Sequence, residues 1–185
     1  MNRVRPATLT DTAMIARIDV ECWRSTYAGV LPDKFLLGLS ENERRRLWSG
    51  YIARHPGDLV VGVTPAGRVQ GFGSCGRRRD AQSGFAGEVF TLYVATDYQG
   101  RGLGRTMLLA LFARLVRSDL ASAMIWVLRA NPARFFYERL GGKLVSHRPL
   151  QVAGTSVEAV AYGWPDLAAV LKTQARTGGE FGGDN

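Results

Sequence analysis

The chain has 185 residues, 46% hydrophobic and 22% charged, with a net charge of +8. That length suffices to bury a core and suggests one domain over 1–172, with the balance of an ordinary soluble globule. The 24 basic residues are almost all arginine, but no aromatic-interleaved basic repeat accompanies them, so nucleic acid is not an expected partner.

The N-terminus MNRVRPAT lacks an apolar core, so no signal peptide is expected. Arg3 to Ala7 reads as a first strand. Thr10 is placed to cap a helix over Asp11 to Glu21, with Met14, Ile15, Ile18 and Cys22 inward and Asp11 in its first turn. Trp23 to Pro32 reads as an aromatic loop, followed by a short helix from Pro32 through Leu39. Ser40 and Glu43 form a capping box opening another helix, whose apolar stripe is Leu47, Trp48, Tyr51 and Ile52. The period then changes. Leu59 to Val63 and Val69 to Ser74 alternate as strands around the turn at Thr64 to Gly67. The run Arg77-Arg78-Arg79 opens a polar connection.

Glu88 to Val94 is rich in β-branched and aromatic residues, as a largely buried strand should be. It runs through Ala95 to Tyr98 into Gln99-Gly100-Arg101-Gly102-Leu103-Gly104. From Leu103 to Arg117 the residues Leu103, Met107, Leu111 and Leu115 recur at helical spacing, with Leu108 and Phe112 beside them. A strand therefore feeds a glycine turn that opens a helix. The first helical N–H groups lack intrahelical partners and carry partial positive charge, and three glycines let that backbone approach a bulky anion. The expected ligand is a pyrophosphate held by the segment from Gly100 to Arg105. The spacing is neither a dinucleotide fingerprint, since Met stands at 107, nor a P-loop.

Ala123 to Leu128 is a short apolar strand suited to a parallel pair. Asn131 and Pro132 start a helix that Gly141 and Gly142 end. Lys143 to Val152 and Thr155 to Trp164 form a terminal hairpin around Ala153 and Gly154. A last helix covers Pro165 to Lys172, and 173–185 reads as a disordered tail. Cys22 and Cys75 lie in patterned segments without metal spacing, so they read as buried thiols, no metal is expected, and the compartment is reducing. The longest uncharged apolar run, Leu120 to Leu128, is far short of the ~18 residues of a membrane span. The expected location is the cytoplasm.

Gln99-x-x-Gly102-x-Gly104 after Leu92-Tyr93-Val94 resembles the acyl-coenzyme A motif of the GNAT N-acetyltransferases. A second element, Asn131-Pro-Ala133-Arg134-Phe-Phe-Tyr137-Glu-Arg-Leu-Gly141, stands at the family's expected distance. The resemblance implies an α/β GNAT fold: a central mixed, mostly antiparallel sheet with a splayed parallel strand pair and flanking helices. It implies acetyl-coenzyme A as cosubstrate, and an acetyl group moved by direct attack of a primary amine on a small molecule or peptide. A different acyl group, a protein N-terminus as acceptor, and an acyl-coenzyme A-binding regulatory module without turnover stand as alternatives. Monomer and homodimer are both compatible.

Carried over residue by residue, the resemblance gives Leu92, Tyr93, Val94, Gln99, Gly100, Arg101, Gly102, Leu103, Gly104, Arg105, Asn131 and Tyr137 to the cofactor. The pantetheine pairs with exposed backbone at Leu92 and Val94, and the Leu92 N–H meets the oxyanion. Arg101 and Arg105 flank the cradle, either on phosphate or in solvent. Tyr137 is the acid that protonates the departing thiolate, or it only packs with Phe135 and Phe136. Glu88 stands where the family carries its base, and reads equally as a solvated carboxylate at a strand start. Asn131 serves as helix cap and as a hydrogen-bonding partner of the cofactor. Trp23 and Tyr27 line the acceptor cleft or close the core over the first helix, and Arg77 to Arg79 border that cleft and favour an anionic acceptor. Gly142 departs from the family, which often has Phe there, and this bears on local packing.

Overall fold

The computed structural model describes residues 3–81 and 84–179. In chain order these form β1 (Arg3–Pro6), α1 (Thr12–Tyr27), α2 (Asp33–Leu37), α3 (Glu41–Arg54), β2 (Leu59–Val63), β3 (Val69–Arg77) and β4 (Gly87–Val94). There follow α4 (Leu103–Arg117), β5 (Ala123–Leu128), α5 (Arg134–Arg139), β6 (Lys143–Val152), β7 (Thr155–Trp164) and α6 (Leu167–Gly179). The strands make one seven-stranded sheet in the order β1-β2-β3-β4-β5-β7-β6. Every pairing is antiparallel except β4 with β5. The mixed, mostly antiparallel sheet with one parallel pair and flanking helices is as expected.

Strand alternation divides the core between the two faces. On β2, Leu59, Val61 and Val63 join Ile15, Ile18, Cys22, Trp48 and Phe72 beneath α1 and α3. Val60 faces the other way, toward Leu108, Leu111, Phe112 and Leu115 of α4 and Leu167 of α6. The inner face of α4 is 0–1% exposed at Leu103, Met107, Leu108, Leu111, Phe112 and Leu115. Each such side chain contributes about 1.5–3 kcal/mol of transfer free energy. That seating requires glycine beneath it, since a Cβ on Gly62 would lie 2.6 Å from Leu103 and one on Gly73 would lie 2.9 Å from Leu111. The start of α4 is thereby clamped to the sheet beside the end of β4.

Several boundaries differ from the sequence expectation. Helix α1 does not stop at Glu21 but runs through Tyr27, because Tyr27 buries its ring with Leu31, Leu36 and Leu128. Thr10 does not cap the helix: a short 3-10 turn over Leu9–Asp11 precedes it, opened by Thr8, and there the Asp11 carboxylate takes the Thr8 N–H at 2.8 Å and a fork from Arg5 at 2.7 and 2.8 Å. Met14 and Leu47, expected inside, are 38% and 51% exposed. Ser40 caps α3 as expected, accepting from the Glu43 N–H at 3.3 Å. Strand β3 continues to Arg77 along β4. The tail expected over 173–185 is helical through Gly179, an extension of α6 whose Gln174 bonds to α4. The remainder of that expectation lies outside the described residues. Among the described residues no helix is long and apolar enough to cross a membrane.

Candidate functional site

β4 and β5 pair only at Gly87–Ala123, Glu88–Met124 and Val89–Ile125, and then part. On its other side β4 stays paired with β3 to Val94, with an irregularity that leaves Phe90 without an opposite residue. The Ala95 N–H reaches the Gln70 carbonyl at 2.9 Å, which makes Gly71–Val94 a non-hydrogen-bonded pair in the antiparallel alternation. Tyr93 therefore spends its backbone groups on Phe72, while those of Leu92 and Val94 turn away from β3 into the gap. The Val94 carbonyl accepts from Gln99 Nε2 at 3.0 Å and from the Cys22 thiol at 3.5 Å. Gln99 thus uses its side chain to tie the glycine turn to the strand end.

The turn itself has the geometry that an anion cradle needs. Gly100 and Gly102 take φ of +72° and +79°, and Gly102 caps α4. The first helical bond there is Thr106 N–H to the Gly102 carbonyl, 3.1 Å, so the N–H groups of Leu103, Gly104 and Arg105 precede any intrahelical partner. A Cβ on Gly100 or Gly102 would meet nothing within 4 Å, whereas one on Gly104 would touch Phe136 at 3.5 Å and Val94 at 3.8 Å. There is thus room beside Gly100 and Gly102 next to the unpartnered helical N–H groups, and the residues fit a pyrophosphate. Leu103 offers only backbone, because its side chain is core. The Arg101 guanidinium lies 5.7 Å over the Tyr98 ring at the rim. Arg105 is turned back onto α6, donating to Gln174 Oε1 at 2.8 Å and to the Gln174 carbonyl at 3.1 Å.

Helix α1 brings Trp23 and Tyr27 to this gap one turn apart, their rings edge to face at 5.1 Å. Trp23 Nε1 donates to the Tyr93 hydroxyl at 3.1 Å. Asn131 caps the turn into α5, its Oδ1 accepting the Ala133 N–H at 2.8 Å, while its Nδ2 donates to the Tyr27 hydroxyl at 3.3 Å, a partner other than the expected cofactor. Tyr137 is 4% exposed and stands against Tyr162 and Trp164. Burial raises all three phenols, Tyr27, Tyr93 and Tyr137, above the ordinary tyrosine value, and their mutual proximity adds to the shift at Tyr93 and Tyr137. At neutral pH they are proton donors, not bases.

Glu88 is not the solvated strand-start carboxylate. It is 2% exposed; Oε2 accepts the Arg79 N–H at 3.0 Å, and Oε1 accepts Arg79 Nε at 3.1 Å and its terminal nitrogen. The Arg79 guanidinium also lies 4.9 Å over the Phe90 ring. Arg78 is spent on the Phe85 carbonyl at 2.9 Å. The arginine run is therefore not a free cationic bank, because two of its three guanidiniums hold the loop and Glu88. Sequence reasoning missed Arg79 as the partner of Glu88, and it missed the Trp23–Tyr93 and Asn131–Tyr27 bonds. Each joins separate elements, and no local pattern announces it. Gly142 is explained as well: a Cβ there would lie 2.7 Å from the Trp164 ring, so Trp164 fills that space.

The sequence profile of the acetyltransferase (GNAT) family matches residues 15–142. The chain belongs to that family. It is 34% identical over 173 residues to the uncharacterised N-acetyltransferase YuaI of Bacillus subtilis (strain 168), covering 94% of this chain and 98% of that protein. Among solved structures, this GNAT chain resembles the PaiA N-acetyltransferase of Thermoplasma acidophilum in complex with coenzyme A. The TM-score is 0.68 at 18% identity, over 89% of this chain and 99% of that one. It is also similar to YncA of Salmonella typhimurium with its cofactor acetyl-CoA, with TM-score 0.68 at 21% identity, over 90% and 94% of the two chains. Those likenesses place the GNAT fold. Among the described residues no group of three or more His, Cys, Asp or Glu side chains gathers as a metal site.

Proposed function

We propose that this GNAT acetyltransferase binds acetyl-coenzyme A across the β4–β5 gap and transfers its acetyl group to a primary amine by direct attack. The observation that supports this most is the continuity of two sets of backbone groups. The Leu92 groups and the Val94 N–H face the gap without a partner on β3, the Val94 carbonyl being taken by Gln99 and Cys22, and the chain leads from them into the N–H groups at the start of α4. The first set suits an extended amide-bearing arm, added as a strand would be, and the second suits its pyrophosphate.

The cosubstrate supplies the acyl group as a thioester, whose thiol pKa of roughly 8.5 makes the thiolate a tolerable leaving group. The residues of this chain do the rest. The Leu92 N–H points to where negative charge develops on the carbonyl oxygen. As the amine nitrogen bonds to the carbonyl carbon, the carbon–sulfur bond breaks, the Tyr137 hydroxyl gives its proton to the sulfur, and the proton that the nitrogen sheds returns through water to Tyr137. An alkyl ammonium is neutral in only about one molecule in 2,500 at pH 7, so a proton must first leave it. Glu88 receives that proton through water, on the lone pair that Arg79 leaves free on Oε2. Trp23 and Tyr27 line the acceptor side, with Tyr93 and Asn131 fixing their polar ends.

The test is incubation of the protein with acetyl-coenzyme A and a panel of amines, reading free thiol and identifying acetylated products by mass spectrometry. Amine-dependent thiol release with a matching acetylated product is expected. Cofactor binding without release on any amine would support a regulatory module instead, and absence of binding would refute the proposal.

A further inference from the structure

A second cavity, of about 650 Å³, lies between α2, the start of α3 and the tip of the β6–β7 hairpin, where Ala153 lines it. Phe35, Leu39 and Leu47 give it apolar walls, and Lys34, Glu43 and Arg44 supply the charge. Arg44 is the informative member. Its guanidinium sits 5.5 Å over the Trp23 ring, and its Nε lies 3.6 Å from Asp19 Oδ2, beyond hydrogen-bonding distance. Asp19 is 1% exposed; its Oδ2 accepts Trp48 Nε1 at 2.8 Å, and its Oδ1 has no partner among the described residues. Stacking and a buried opposite charge thus anchor the Arg44 guanidinium, yet no described residue takes any of its N–H donors. An arginine 24% exposed, held in place with an unspent fork, is preorganised for a planar oxyanion. Lys34 offsets Glu43 at the same wall, so Glu43 does not cancel that preference.

Trp23 connects this cavity to the acyl-transfer site. One ring carries Arg44 on the cavity side and donates from Nε1 to Tyr93 on the gap side. We infer that the acceptor is an amine carrying a carboxylate: its nitrogen enters beside Tyr27, Tyr93 and Tyr137, and its carboxylate is held by the Arg44 fork. Its aliphatic part lies over Phe35 and Leu39. This rests on the acetyl-transfer reading above and names the substrate class for that site. It also moves the anion-recognising group from the Arg77–Arg79 run, in which Arg78 holds the loop and Arg79 holds Glu88, to Arg44.

The experiment uses a ladder of ω-amino acids from glycine to ε-aminocaproate, each paired with its carboxamide, with rates referred to the concentration of free amine. The wild type is expected to favour at least one acid over its amide by about 10-fold or more in kcat/KM, the size of one charge-assisted bidentate contact. Arg44→Gln should bring that ratio to near one, without changing the affinity for acetyl-coenzyme A. Arg44→Lys, which keeps the charge toward Asp19 but not the fork, should restore only part of it. Calorimetric titration of the same pairs into the coenzyme A-loaded protein gives the discrimination without turnover. Equal kcat/KM and equal binding for acid and amide along the whole ladder, or a preference that survives Arg44→Gln, would overturn the inference. Loss of acetyl-coenzyme A binding in the wild type would instead strike the acetyl-transfer reading itself.

Discussion

Replacing Gly102 with Ala separates the cradle from ordinary turn strain, because the chain contains its own control. Gly102 and Gly67 have φ of +79° and +82°, and an added Cβ meets nothing within 4 Å at either. Each substitution therefore imposes the same left-handed penalty, about 1–2 kcal/mol, with no clash to confuse it. For a chain of this size that corresponds to a Tm lower by about 2–8 °C. Only their positions differ. Gly67 turns β2 into β3, whereas Gly102 is the N-cap of α4, next to its unpartnered N–H groups. On the proposed reading, a methyl group there would displace a phosphate from hydrogen bonds worth about 1.5–3 kcal/mol each when the acceptor is charged. Loss of one such bond weakens binding by about 10- to 100-fold. Thermal unfolding and calorimetric titration with acetyl-coenzyme A should show equal Tm losses in both variants, with weaker binding only in Gly102→Ala. Unchanged affinity in a folded Gly102→Ala protein, or an equal loss in Gly67→Ala, would refute the cradle.

Tyr137→Phe should lower kcat by about 10²-fold with little change in cofactor affinity. Because burial raises the Tyr137 phenol, the proton donor persists above pH 10, and wild-type kcat should show no alkaline fall near that value. The same shift has a stability consequence: a raised phenol binds its proton more tightly folded than unfolded. Stability is therefore full below pH ~10 and falls as pH rises beyond it, which denaturant melts across that range would show. Glu88→Gln should slow the reaction mainly at lower pH, where the amine is more fully protonated, and an unaltered pH–rate profile would remove Glu88 from proton transfer. Arg79→Gln leaves the buried Glu88 carboxylate without its fork and should cost about 1–3 kcal/mol in urea unfolding; a change below the scatter of the melts would show the fork to be idle. Burial pushes the Cys22 and Cys75 thiols up to about 12, so neither should be alkylated at pH 8 until the protein unfolds. Rapid labelling of a native thiol would contradict their placement.

Where pattern and environment agree, the sequence marks elements to the residue. The helix over Leu103–Arg117 and the strands over Leu59–Val63, Ala123–Leu128, Lys143–Val152 and Thr155–Trp164 lie where expected. Each is either strongly periodic or bounded by a turn whose chemistry is local, as at Ala153 and Gly154 with φ of +50° and +79°. The glycine turn into α4 was legible for the same reason, since a strand end, a positive-φ turn and a helix start are written in consecutive residues. The end of α1 was not. Ser25, Thr26 and Tyr27 are indifferent helix formers, and they stay helical because Tyr27 is packed under residues of α2 and β5. Met14 and Leu47 looked internal by spacing but fall just beyond the packed stripe.

The polar couplings were the least legible part, and they decide what the site can do. Trp23 with Tyr93 spans 70 residues, and Asn131 with Tyr27 spans 104. The composition around each partner reads equally as core. A buried pair of this kind is specified by the sheet order that brings α1 over β4, and sheet order is a property of the assembled fold. Glu88 makes the same point across nine residues, because an irregular loop sets where Arg79 returns. Its consequence for mechanism is specific. The motif position nominates Glu88 as a base, but the Arg79 fork and backbone N–H occupy three of the roughly four acceptor sites of a carboxylate. On the proposed mechanism, proton removal by Glu88 would depend on one remaining lone pair of Oε2 and on how readily the exposed Arg79 swings away, so activity at low pH should respond to Arg79 as well as to Glu88.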